Sequence, residues 1–266
     1  MEKLDRFMAK HPRFCCFVVI LFFVAMFCWW YVIDRPTLLV PVLLFLLVYG
    51  LWFVSAACDR LCKKPLKILK NVCDPHPFLE EMDEQRTYPA NEAGKQIQTI
   101  NYAMALRCTG EYEKAFAMLS SINIDKHAGM LPVIKVVYYN NLTDLCQLMG
   151  KHQEAVIWYE KTLQIWNDLK PGEQKEKLRN AVESSQAAMH FCKGEYDQAL
   201  QVLSTAKIEN LSDRIENAMM YARVYLVMGE TEKAVKPLTF VAENGNKLYF
   251  ATEAKALLAK INMEEQ

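Results

Sequence analysis

Gly110-Glu111-Tyr112-Glu113-Lys114-Ala115 recurs three more times, as Gly150-Lys151-His152-Gln153-Glu154-Ala155, Gly194-Glu195-Tyr196-Asp197-Gln198-Ala199 and Gly229-Glu230-Thr231-Glu232-Lys233-Ala234. The phrase describes a tight turn between two antiparallel helices. Glycine enters the left-handed conformation without a Cβ penalty and so ends the first helix. Acids near the start of the second helix suit its positive end. Alanine belongs where the two axes cross, because a larger side chain would push them apart. Four of the nine glycines hold this one position, which is poorly explained by coincidence. An all-α array of about four helical hairpins is therefore expected over residues 92–266.

Further positions keep the same phase. Seven residues before each glycine stand Ala103, Thr143, Ala187 and Ala222; nine after it stand Leu119, Tyr159, Leu203 and Leu238. Residues 247–263 carry apolar side chains at helical spacing and read as a capping helix. On these positions the sequence resembles the tetratricopeptide-repeat (TPR) family. It departs at Thr143, at His152 and Thr231 in the aromatic turn position, and at Ile122 and Val241 where a small residue is usual. The glycines are 40, 44 and 35 residues apart, against about 34 in an ideal repeat. Stretched joints are expected around residues 123–131 and 167–174, and Pro237 falls inside the last second helix.

Upstream, residues 14–33 and 38–57 are two runs of twenty without a charge. At about 1.5 Å per residue each matches a bilayer core of roughly 30 Å. Only Asp34-Arg35-Pro36-Thr37 separates them, so a two-helix transmembrane hairpin is expected. Lys3, Arg6, Lys10 and Arg13 precede the first run, within a basic N-terminus over residues 1–13. Arg60, Lys63, Lys64, Lys67 and Lys70 follow the second. The positive-inside rule puts both termini in the cytoplasm, and the plasma membrane is the expected host. Residues 58–91 read as a basic juxtamembrane segment and a linker, with one short helix near residues 78–85. Acylation of Cys58 or Cys62 rests on position alone.

The formal net charge is zero, but it is divided. Residues 1–73 hold ten Lys+Arg against four Asp+Glu, and the remainder 21 against 27. An acidic soluble part without a basic stripe argues against a nucleic-acid-binding domain. Nine scattered cysteines without CxxC spacing fit a reducing compartment. No phosphate loop, nucleophile elbow or HExxH motif occurs. His190 and Cys192 lie two apart on a helix and face different ways, so no metal or other cofactor is expected, and neither is an enzyme.

The resemblance implies a concave face lined by the first helix of each hairpin, which binds a protein or peptide partner. Carried over position by position, it assigns that face to Arg107, Asn140, Asp144, Gln147, Ser184, Glu216 and Arg223. The set is polar and of both signs, and lacks the basic cluster with which some family members clamp a terminal carboxylate. The expected function is a membrane-tethered scaffold or adaptor. Alternatives are a structural accessory subunit of a transporter or secretion complex and, more remotely, a membrane-anchored enzyme with an unrecognised site. Oligomeric state is left open.

Overall fold

The computed structural model describes residues 1–32, 39–126 and 131–264; these form fourteen α-helices, one 3-10 turn (Ile124–Lys126) and no strand. The expected turn Asp34-Arg35-Pro36-Thr37, with Ile33, Leu38 and His127, lies outside the described residues.

Helix α1 (Glu2–Lys10) leads into α2 (Pro12–Val32), and α3 (Leu39–Ser55) packs beside α2. Close approach is possible at Gly50, where a Cβ would stand 3.1 Å from Val19 Cγ1. Within α2, Pro12–Trp29 has a mean hydropathy of 2.2 with only 6% of it buried, so one helix is long and apolar enough to cross a membrane. The expected second run, residues 38–57, covers α3 and the start of α4 (Ala57–Val72). Helix α3 has 17 residues and continues into α4 through a 47° bend beside Ala56.

Four helix pairs follow: α6 (Glu92–Cys108) with α7 (Tyr112–Ser120), α8 (Pro132–Leu148) with α9 (His152–Asp168), α10 (Glu173–Lys193) with α11 (Tyr196–Thr205), and α12 (Leu211–Val227) with α13 (Thr231–Asn244). All four turn glycines have positive φ, from +70° at Gly150 to +86° at Gly110. The residue after each glycine donates to a carbonyl five back: Glu111 to Leu106, Lys151 to Cys146, Glu195 to His190 and Glu230 to Tyr225, at 2.8–3.0 Å. This double-bonded helix ending satisfies orphan carbonyls that would otherwise be lost at the C-terminus. Ala115, Ala155, Ala199 and Ala234 are fully buried, as are Ala103, Thr143, Ala187 and Ala222. Thr143 is tolerated because its hydroxyl donates to the Tyr139 carbonyl at 3.0 Å.

The long intervals have local causes. The first holds the 3-10 turn before Pro132, which opens α8 at its first position. The second holds α10, whose 21 residues exceed those of the other first helices. Pro237 sits within α13, and α14 (Tyr249–Glu264) follows as the closing helix.

Residues 58–91 do more than connect. Helix α4 and helix α5 (His76–Gln85) bury Leu69, Cys73, Phe78 and Met82 in the same core as Tyr102, Leu106, Leu142 and Met219. Leu61 joins a second cluster with Met8, Ala9, Val54 and Tyr88, at the base of α2 and α3. The charges of this segment suggest an exposed strap, yet they occupy one side of α4 and leave its other side apolar. Ion pairs complete the joint: Asp5 with Arg60 at 2.7 Å, Arg6 with Glu81 at 3.0 Å, Lys10 with Glu84 at 3.1 Å, and Arg6 with Glu84. Helix α1 thus shares a built interface with α4 and α5.

Candidate functional site

The first helices α6, α8, α10 and α12 line one cleft of about 340 Å³. Leu66, Leu69 and Lys70 of α4 form one wall, and the 205–210 loop brings Lys207 and Glu209 to another. Its floor is apolar at Val137, Leu203 and Met220, while Asn180 and Asn217 add amides.

Polar groups from four helices meet at this cleft, with Ser185 fully buried beside its lining. Arg107 of α6 sends Nη2 to Glu216 Oε1 on α12 at 3.1 Å, and Nη1 lies 3.9 Å from Asp144 Oδ2 on α8. Its buried Nε has no hydrogen-bond partner. Ser185 of α10 lies with Oγ 2.6 Å from Asn140 Oδ1 and 2.9 Å from Asp144 Oδ1. A hydroxyl carries one proton. It is shared between the two acceptors, and the part given to Asp144 favours the carboxylate.

Burial pushes the Asp144 carboxyl up to about 6, and Glu216 adds to the rise, while Arg107 and Ser185 oppose it. One guanidinium thus faces two carboxylates with little water to screen them. Asp213, on the same cleft, is also raised by burial. A perturbed carboxylate in a concave site is a physical mark of a functional position, although buried ion-pair networks produce the same shift.

Of the seven positions carried over from the family resemblance, Arg107, Asn140, Asp144, Ser184 and Glu216 line the cleft. Gln147, one turn further along α8, is buried away from it. Arg223 lies at the other end of α12 and binds Glu253 of α14 through both carboxylate oxygens, at 2.7 and 2.8 Å. Ser185 and the α4 wall were not foreseen. Their place depends on how α10 crosses α8 and on where α4 lies, and no repeat position encodes either.

Other chemistry-bearing residues have structural roles. His190 pairs with Glu195 at 2.6 Å across its turn, and His152 packs edge-on against Phe191. Among the described residues no group of three or more His, Cys, Asp or Glu is placed to hold a metal ion. A second cleft of about 830 Å³ lies beside α8 and α9, lined by Lys135, Lys161, Lys170 and Lys175. Lys135 pairs with Asp125 at 2.9 Å, Lys161 stacks over Trp158, and Lys175 caps the Asn167 and Leu169 carbonyls. Those engagements leave the first cleft as the better candidate. Compared with family models, with curated proteins and with solved structures, the chain matches none.

Proposed function

We propose that this protein is a two-pass membrane scaffold whose cytoplasmic, TPR-like helical domain holds a peptide or protein partner in the α6–α8–α10–α12 cleft. The observation that carries the reading is the cleft itself, where side chains from the first helix of every pair converge on a concave, mixed polar and apolar surface. Such a surface suits an extended segment or an amphipathic helix, with amides for backbone groups and Leu203 and Met220 for apolar side chains. The proposal includes no catalytic step and no cofactor. Both termini face the cytoplasm, consistent with the flanking cations, and the plasma membrane is the proposed host. Tethering raises the local concentration of a bound partner near other membrane proteins.

A second reading, an accessory subunit of a larger membrane complex, is favoured by the ion-paired joint between α1, α4 and α5. A rigid joint transmits the position of the hairpin to the helical domain. The two readings separate by co-purification of the full-length, detergent-solubilised protein. Ser184 is exposed at the cleft, and Ser184→Trp fills it. Loss of a partner in Ser184→Trp, with retention in the exposed convex variant Lys236→Trp, is the expected result. Equal recovery by both variants overturns the scaffold reading.

A further inference from the structure

The cations flanking the two apolar helices fall into two groups. Arg6, Lys10 and Arg60 are spent on Glu81, Glu84 and Asp5. Lys63, Lys64 and Lys67 are exposed and engage no acid among the described residues. They form one contiguous stripe on α4, opposite the face that buries Leu61 and Leu69. Helix α4 leaves α3 through the 47° bend. Lys63 and Lys64 then stand about 8–10 Å beyond the level of Ser55, within the headgroup zone and a Debye length of its charge.

Helix α1 supplies an independent observation. One side of it, at Asp5, Met8 and Ala9, is buried against the base of the domain. Its other side exposes Leu4 and Phe7, 52% and 45% accessible. Phe7 meets Phe14 of α2 edge-on at 6.3 Å, and Phe14 is itself 57% accessible. The outward apolar edge of α1 is therefore continuous with the outward face of the apolar helix. A short helix with one protein-bound side and one apolar, exposed side has the pattern of an interfacial anchor.

We propose that α1 and α4 together form a docking surface for anionic phospholipid: Leu4 and Phe7 seat at the acyl boundary, and Lys63, Lys64 and Lys67 bind the headgroups. The occupant follows from charge complementarity and from continuity with the apolar helices. The inference rests on the two-pass reading above. Its consequence is that lipid charge orients the helical domain against the membrane.

The test uses the full chain reconstituted in equimolar phosphatidylcholine and phosphatidylglycerol, then re-extracted in mild detergent, with the retained lipid quantified. Wild-type protein is expected to retain phosphatidylglycerol in excess. K63Q/K64Q/K67Q, which alters three exposed side chains, is expected to lose about fivefold of that preference per lysine until the bulk ratio is reached. High salt should act in the same direction. Equal retention of both lipids by wild type, or an unchanged excess in the triple variant, overturns the lipid surface alone. Extraction of the protein from membranes by alkaline carbonate overturns the two-pass reading and this inference with it.

Discussion

Asn246 donates its side-chain amide to the carbonyl of Val72 at 2.8 Å, across 174 residues of chain. The neighbouring Lys247 backbone N–H reaches the Cys73 carbonyl at 3.1 Å, and its ammonium reaches Asp74 at 2.8 Å. The loop before the last helix therefore caps the C-terminus of α4, satisfying carbonyls that a helix end leaves open. Tyr249 continues the contact by packing edge-on against Tyr112 at the first turn. The four pairs do not form an open array: α14 and α4 close the end of the chain onto its beginning, and the cleft is walled as a result.

That closure makes the first turn glycine unlike the others. A Cβ on Gly110 would stand 2.4 Å from the Tyr249 ring, whereas one on Gly150 would meet nothing within 4 Å. Gly150→Ala is expected to cost about 1–2 kcal/mol for its left-handed backbone. Gly110→Ala should cost clearly more, because Tyr249 must also move. Urea midpoints at unchanged slope measure the difference; equal costs would contradict the closure.

The Arg107–Glu216 pair should be sensitive to removal of one partner. Arg107→Met leaves two carboxylates facing each other with little solvent, at an expected cost of about 3 kcal/mol. Arg107→Met with Glu216→Met should recover part of that loss. The exposed pair Arg179–Glu176 is a control, and Arg179→Ala is expected to change stability by less than about 0.5 kcal/mol.

Acidification should stabilise the domain through Asp144. Its carboxyl is raised to about 6 in the folded protein, above the value near 3.9 of an unfolded chain. The folded state then binds the proton more tightly. This contribution is fully present below about pH 4 and is lost as pH rises through about 6. Asp144→Asn removes the titration. The difference in stability between variant and wild type should therefore vary with pH between 4 and 6 and be flat above; a difference constant over that window would refute the assignment.

Burial should also silence the thiols of the helical domain. It raises Cys108 to about 11, with Glu216 and Cys73 adding to the shift against Arg107. It raises Cys192 to about 12. At pH 8 the folded protein should react with iodoacetamide at Cys108 about a hundredfold more slowly than the unfolded chain, through loss of thiolate. Mass-spectrometric labelling rates, with and without denaturant, give the comparison.

Local rules were legible in the sequence. Glycine in the left-handed region, alanine at the helix crossing and the 3.6-residue phase made the four turns readable, and twenty-residue uncharged runs marked the apolar helices. Each depends on near neighbours along the chain, and residue type alone expresses it. Of the seven positions that the family resemblance nominates, five lie along the cleft, because residues one turn apart share a face. What the sequence left open was set by contacts between distant segments. The tertiary structure draws α4 and α5 into the core, turns Arg223 away to Glu253, and brings Ser185 to Asn140 and Asp144. It also moves Asp144 into a protonation range that no isolated aspartate occupies, since desolvation exists only once other helices have displaced the water. A repeat phase can nominate a face, and only the packed fold decides which of its charges meet.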